Sequence, residues 1–235
     1  TINLLKIMER FNCKKIVFSS SATIYGNSGE NCNIKEEASI NPINPYGATK
    51  VVIEDILQNL FLTSNTWSVA ILRYFNPIGA HPSGLIGESP LLKPNNIFPI
   101  INEVASGERK NLNIFGNDWE TCDGTGVRDY IHVMDLADGH VSALEYLFKN
   151  VGEIIKLNLG TGNGTSVLEL ISIFKSVNNL EIPYLFSQRR KGDISRAVAD
   201  ITLAKEKLNW SPIRDLKTMC RDGWKWKKQN INGYI

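Results

Sequence analysis

Between residues 45 and 62 the apolar positions Val51, Val52, Ile53, Ile56, Leu57, Leu60 and Phe61 recur at three- and four-residue steps, which predicts a helix. Pro45 opens it, as proline does at a first helical position. Upstream, residues 14–18 form a short apolar run that reads as a buried strand, and Ser19, Ser20 and Ser21 stand where it ends. Similar signals continue downstream. Strands are predicted over 67–74, 112–115, 154–159 and 184–186, and helices over 97–106, 167–174, 201–208 and 216–227. A further helix carries Leu136, Ala137, Val141, Ala143, Leu144 and Leu147, with Asp135 as its expected N-cap. Ile2, Leu4, Leu5, Ile7, Met8 and Phe11 read as the latter half of an amphipathic helix, and Trp210, Trp224 and Trp226 are expected to pack on the body. Strands alternating with helices predict an α/β fold with a parallel sheet.

Composition narrows the class without naming a chemistry. A chain of 235 residues suggests one large domain or two small ones, and 43% hydrophobic with 21% charged residues is globular. A net charge of +2 gives no reason to invoke nucleic acid or an acidic membrane surface. No apolar run approaches the ~20 residues of a membrane span. Cys13, Cys32, Cys122 and Cys220 lack C-x-x-C spacing, which points to reduced thiols and a cytoplasmic setting. His81, His132 and His140 show no metal-ligand spacing.

Candidate chemistry begins on the helix from Pro45. Tyr46 and Lys50 are four residues apart, one turn along a single face. A phenol with a pKa near ~10 is a poor base at neutral pH, and an adjacent ammonium favours the phenolate. Lowering such a phenol to about 7 needs ~4 kcal/mol, more than one partly exposed lysine supplies, so a second positive charge such as an oxidised nicotinamide ring would help. A serine from the strand end could bridge the phenol and a substrate hydroxyl. Tyr-x-x-x-Lys also occurs on helices with no chemistry, as a solvated lysine beside a half-buried aromatic ring. The serine-rich strand end and the Pro-Tyr opening favour the chemical reading.

Other stretches leave two readings open. The irregular, Pro/Gly/Asn-rich loop that reaches Pro99 contains Pro94-Asn95-Asn96, a polar clamp or an ordinary turn. Arg128 could fork onto a phosphate or pair with Asp129. Gly160-Thr161-Gly162-Asn163-Gly164 lacks G-x-G-x-x-G spacing and reads as a tight connection. Gln188-Arg189-Arg190-Lys191-Gly192-Asp193 could hold a diphosphate and a ribose hydroxyl, or be a solvated basic turn.

Taken in order, the Ser-Ser-Ser-Ala-Thr-Ile-Tyr-Gly run from Ser19, Tyr46-x-x-x-Lys50, Arg73-Tyr-Phe-Asn-Pro-Ile-Gly-Ala-His-Pro, Pro94-Asn-Asn, Gly126-Val-Arg-Asp-Tyr-Ile-His-Val-Met-Asp-Leu-Ala-Asp-Gly-His and Arg189-Arg-Lys-Gly-Asp resemble the UDP-glucose (UDP-galactose) 4-epimerase family of the extended short-chain dehydrogenase/reductase superfamily. The resemblance covers essentially the whole chain. It implies the later part of an NAD-binding Rossmann domain with a doubly wound parallel sheet over residues 1–78. A smaller α/β substrate-binding domain would occupy 79–235, with some segments returning to the Rossmann part. It implies NAD as cofactor, a UDP-sugar as substrate, and a homodimer for the complete protein. The implied reaction is transient oxidation at C4 of the sugar, rotation of a 4-keto intermediate and return of hydride to its other face. Tyr46 is the implied base, Lys50 its activator and nicotinamide-ribose contact, and Ser21 the serine bonding the sugar hydroxyl. Phe75 is placed near the nicotinamide. Asn76 and Asn96 are implied substrate contacts, Asn113, Ile114 and Phe115 the uracil strand, Arg128 and Arg190 the diphosphate arginines, and Asp193 the ribose contact.

Two departures stand out. The glycine-rich strand-loop-helix that opens the family is not within these residues. Roughly three βαβ units, about 90–100 residues, would supply it. The sequence therefore reads as N-terminally incomplete, with an exposed sheet edge and little activity expected of it alone. Ala197 stands where members strict for unacetylated sugars carry tyrosine, which leaves room for UDP-GlcNAc and UDP-GalNAc. A related dehydratase would place Asp-Glu after Thr23, whereas here Ile24 and Tyr25 follow. A non-catalytic sugar-nucleotide-binding protein is favoured only by the missing cofactor half.

Overall fold

The structure is a computed structural model and describes residues 1–28, 32–64 and 66–234. In chain order its elements begin α1 (Ile2–Arg10), β1 (Lys15–Ser21), a one-turn 3-10 helix (Ala22–Tyr25), α2 (Pro45–Thr63), β2 (Ser68–Tyr74), β3 (Asn76–Ile78), α3 (Ile97–Ala105) and β4 (Leu112–Phe115). They continue with β5 (Val127–Arg128), β6 (Tyr130–His132), α4 (Val133–Lys149), β7 (Ile154–Leu159), β8 (Thr165–Ser166) and α5 (Val167–Asn178). The last are β9 (Tyr184–Ser187), β10 (Arg196–Ala197), α6 (Thr202–Leu208) and α7 (Leu216–Gln229).

The largest sheet is parallel, in the order β1-β2-β7. Its central strand explains its layers. Successive side chains of a strand point to opposite faces, so Val69 and Ile71 join Leu5, Leu57 and Trp67 under α1 and α2. Ala70 and Leu72 join Leu136, Ala143, Leu147 and Trp210 under α4 and α6. Helices therefore cover both faces, and β2 is buried along nearly its whole length, as a central parallel strand must be. Burying a leucine such as Leu57 contributes roughly 1.5–3 kcal/mol.

A second core forms where α3, β4, α5 and α7 meet. Phe98, Ile101, Leu112, Ile114, Leu170, Phe174 and Trp224 fill it, and Phe174 sits edge-on to both Phe98 and Trp224. Here β4 pairs in parallel with β9, while β5 lies between β10 and β8. The chain crosses from one core to the other just after β2. Phe75 N donates to Leu159 O in the first sheet, and Asn76 N donates to Asp129 O beside β6. Asn76 thus lies on the seam.

Several local expectations change. Asp135 is not the cap of α4: His132 caps it, its Nδ1 accepting from Met134 N at 3.0 Å. Asp135 instead lies buried in the first turn and takes bonds from Arg214 N and the Arg214 guanidinium. The strands of two or three residues, β3, β5, β6, β8 and β10, were not predicted individually, because so few residues show no period. Trp210, Trp224 and Trp226 are buried, as expected.

Candidate active site

Ser21 ends β1 and caps the following 3-10 turn, its Oγ accepting from Thr23 N at 3.3 Å and Thr23 Oγ1 at 3.0 Å. α2 starts directly opposite. Asn44 Oδ1 accepts from Gly47 N at 2.8 Å, and Pro45 supplies the first helical turn. A Cβ on Gly47 would stand 2.8 Å from Thr23 O, so glycine lets the helix start touch the strand-end turn. That contact places Tyr46, half exposed, and Lys50 beside the serines.

Lys50 Nζ donates to Ser19 O at 2.8 Å and stands 5.4 Å from the centre of the Tyr46 ring. The backbone carbonyl holds the ammonium next to the phenol without neutralising it, as a carboxylate would. Ser19 is held from the other side too. His140 Nδ1 lies 2.9 Å from Leu136 O, and since a carbonyl only accepts, Nδ1 carries the proton. Nε2 is then the acceptor for Ser19 Oγ at 2.8 Å. Tyr74 stands next to Tyr46, and burial, then the neighbouring Tyr46 phenol, push the Tyr74 phenol up. Ser21 has no bond to Tyr46 among the described residues; its hydroxyl accepts from Thr23 and keeps its own proton to donate. Phe75 is buried with Ile24, Tyr25 and Ile34, backing the strand-end turn rather than lining the cleft.

From this ledge a cleft runs into the second core. A cavity of about 150 Å³ is lined by Asn76, Asn96, Asn113, Ile114, Phe115, Arg128, Arg190 and Asp193, which the sequence separates by up to 117 positions. A second cavity of about 180 Å³ adjoins it, sharing Asn76, Arg128 and Asp193 and adding Ala22, Thr23, Asn44 and Ala197. The predicted substrate residues are therefore gathered along one path that begins beside Ser21. Asn96 occupies the N-cap of α3 without using its side chain as a cap, leaving the amide at the cleft.

Electrostatics suits an anion. Burial pushes the Arg128 guanidinium down, Tyr130 and Asp193 oppose this, and Arg190 adds to it. Arg128 Nη1 donates to Val127 O at 2.9 Å, Arg190 pairs with Asp193 at 3.0 Å, and Arg190 lies 4.5 Å over the Phe115 ring. Two guanidiniums facing one cavity with one carboxylate are what a diphosphate would complete. Arg189 does a different job, stacking 3.9 Å over Trp119 and pairing with Asp118. Trp119 also lines the first cavity and was missed; a lone tryptophan in a polar loop was its signal.

The alternative pairing of Arg128 with Asp129 is absent. Asp129, fully buried, accepts from Thr161 N, Thr161 Oγ1, Gly162 N and Ala199 N at 2.6–3.2 Å. Its carboxylate takes the amides that a phosphate would use, so the Gly160 turn is a closed connection, as its spacing predicted. Beneath the ledge lies a network the sequence reading missed. Glu54 and Arg73 form a buried ion pair, Ser20 Oγ donates to Glu54 Oε1, and Arg73 Nη1 donates to Tyr25 OH and Glu36 O. Tyr25 OH donates to Asn158 Oδ1, and burial pushes the Tyr25 phenol up to about 12. Glu54 stands four residues after Lys50, a spacing that could have revealed it.

A Tyr/Lys/Ser ledge at the carboxyl end of a parallel sheet, opening on a cleft with two arginines, is where ligands bind in open α/β sheets and is the arrangement that the resemblance to extended short-chain dehydrogenases/reductases implies. The sequence matches the family described as GDP-mannose 4,6 dehydratase over residues 1–223. It is 52% identical over 234 residues to UDP-glucose 4-epimerase of Bacillus subtilis, covering 100% of this chain and 68% of the relative. A UDP-glucose 4-epimerase structure from Stenotrophomonas maltophila, with bound NAD and formylated UDP-arabinopyranose, superposes with a TM-score of 0.94 at 48% identity. That match covers 97% of this chain and 67% of the other. The Bifidobacterium longum enzyme, in complex with NAD+ and UDP, gives 0.93 at 43% identity, covering 98% of this chain and 68% of the other. The chain belongs to the UDP-glucose 4-epimerase family and spans about two thirds of the length of these relatives.

Proposed function

We propose that this protein is an NAD-dependent epimerase that interconverts UDP-glucose and UDP-galactose at C4. The observation that carries the reading is the path from the Tyr46–Lys50–Ser21 ledge to the cavity holding Arg128 and Arg190. The residues present suit the nicotinamide end of the cofactor: an ammonium fixed at a strand end, a half-open phenol beside it and the buried Phe75 behind. The amides of the Gly160 turn are taken by Asp129, so they do not serve as its phosphate loop. When bound, NAD supplies a hydride acceptor and donor at C4.

The chain's own residues do the rest. Tyr46 takes the C4 hydroxyl proton and gives it back, with Ser21 bridging the phenol and the sugar. Lys50, anchored on Ser19 O, contacts the nicotinamide ribose and sets its positive charge beside the phenol. Asn113, Ile114 and Phe115 hold the uracil, Arg128 and Arg190 the diphosphate, Asp193 the ribose, and Asn76 and Asn96 the sugar side. Fixing the nucleotide while leaving the sugar free lets the 4-keto sugar, trigonal at C4, turn about its diphosphate link and present the other face of that carbonyl. Elimination of water would need a carboxylate after Thr23, and buried Ile24 and Tyr25 stand there instead.

Residues 1–78 act as the cofactor part and 79–235 mainly as the substrate part, with β7, α4 and α6 returning to the first sheet. Ala197 in the second cavity supports acceptance of UDP-GlcNAc and UDP-GalNAc. The protein works as a homodimer in the cytoplasm, a setting that the exposed thiols of Cys13, Cys32 and Cys122 suit; no described helix is long and apolar enough to cross a membrane. The direct test is Tyr46→Phe in the NAD-loaded protein. Losing the acid/base should lower kcat for UDP-galactose by about 10²–10⁴-fold. Turnover at the parental rate would refute the assignment.

A further inference from the structure

We propose that the buried Glu54–Arg73 pair is the positioning element that sets Tyr46 and Lys50 of α2 against Ser21, which rests on the epimerase reading above. Tyr46, Lys50 and Glu54 are spaced at four-residue steps, so they share one helix face. Glu54 is 2% exposed and Arg73 1%, which makes this face the one driven against the sheet. Arg73 grips the carboxylate with Nε at 3.1 and 3.2 Å and with Nη2 at 2.6 Å, a forked contact that fixes orientation as well as distance.

The same carboxylate ties the ends of β1 and β2 together. Its Oε1 accepts from Ser20 Oγ at 2.5 Å, and Ser20 immediately precedes Ser21. Arg73 immediately precedes Tyr74, the neighbour of Tyr46, and the two strands pair Ser20 with Arg73 and Ser21 with Tyr74. The remaining guanidinium donors reach Tyr25 OH at 3.0 Å and Glu36 O at 2.8 Å, tying the turn after Ser21 into the same network. Buried ion pairs contribute little to stability compared with apolar residues of similar volume. What this one does supply is direction: it fixes the rotation of α2 and its depth relative to the ends of β1 and β2.

Kinetics and hydrogen exchange on Glu54→Gln, Arg73→Lys and the double variant Glu54→Leu/Arg73→Met separate positioning from stability. The double variant removes both charges together and is expected to melt close to the parent. Its kcat should still fall at least tenfold, with KM for UDP-glucose within twofold, and amides at residues 46–50 should exchange at least tenfold faster than those of α4. Arg73→Lys keeps the charge but loses the fork, and should show the same split. Parental kcat in the folded double variant overturns the proposal. So does a loss in Glu54→Gln where exchange rises equally along the whole chain. If the parent does not epimerise, the exchange data still decide: selective loosening of residues 46–50 upholds the positioning role, and unchanged local protection rejects it.

Discussion

Single residues in this protein are set by what burial permits. His132 is fully buried, and its tautomer follows from geometry: Nδ1 accepts from Met134 N, so Nε2 carries the proton and faces Asp222 Oδ2 at 3.3 Å. Burial lowers its pKa from 6.5, while Asp222 opposes the shift. The folded state therefore resists a proton that the unfolded chain accepts. Stability from this group is fully present above about pH 6.5 and falls as pH drops from there to the lowered folded value, by up to about 1.4 kcal/mol per pH unit. Denaturant titrations from pH 7.5 to 5 should show that slope, reduced in His132→Gln; equal slopes would remove His132 as its source. Ala197 makes a second case. Filling its cavity with Ala197→Tyr should lower activity on UDP-GlcNAc at least tenfold relative to UDP-glucose, a ratio read directly by parallel assays of the two substrates.

At the scale of elements, the start of α2 is where local chemistry and function meet. Asn44, Pro45 and Gly47 satisfy or spare the first amides, as a helix start requires, and Gly47 permits contact with the turn after Ser21. Gly47→Ala would favour an isolated helix by about 1 kcal/mol. In the folded protein its Cβ would meet Thr23 O at 2.8 Å, a backbone atom with no rotamer to retreat into. The expected outcome is a loss of kcat of about tenfold with the fold retained, measured by kinetics alongside circular dichroism; unchanged kcat would show that the contact is slack. A separate ordering device appears at α5, where Ser166 and Glu169 form a reciprocal capping box and place β8 beside Arg128.

For the whole molecule, the unanswered surface is apolar. Ile2, Leu4, Ile7 and Phe11 of α1 and its end are each more than half exposed, and Val52 and Leu62 of α2 are exposed as well. Isolated apolar side chains need no explanation, but Leu4, Ile7 and Phe11 fall within one face of α1 at about 100° per residue, and such a row does. It suits the homodimer proposed above. Light scattering should report a dimer, and Ile7→Glu with Phe11→Glu should yield monomer; a parent that stays monomeric at high concentration would remove the proposal.

The order of the longer strands and helices and the Tyr46/Lys50 face were legible in the sequence, because both depend on periods of two to four residues. Asn76, Asn96, Arg128, Arg190 and Asp193 of the cleft were named in advance as well, although only the long motifs of a resemblance, not spacing, put them together, and Trp119 was missed. The pairing of charges was not legible. Arg128 and Asp129 are adjacent yet separate, whereas Glu54 meets Arg73 across 19 positions and Asp129 closes a turn 32 residues away. Nor could spacing reveal that Ala197 shares a cavity with Thr23. Local periodicity follows from backbone geometry that each segment carries itself, while these contacts exist only once the parallel sheet brings distant strand ends to one edge.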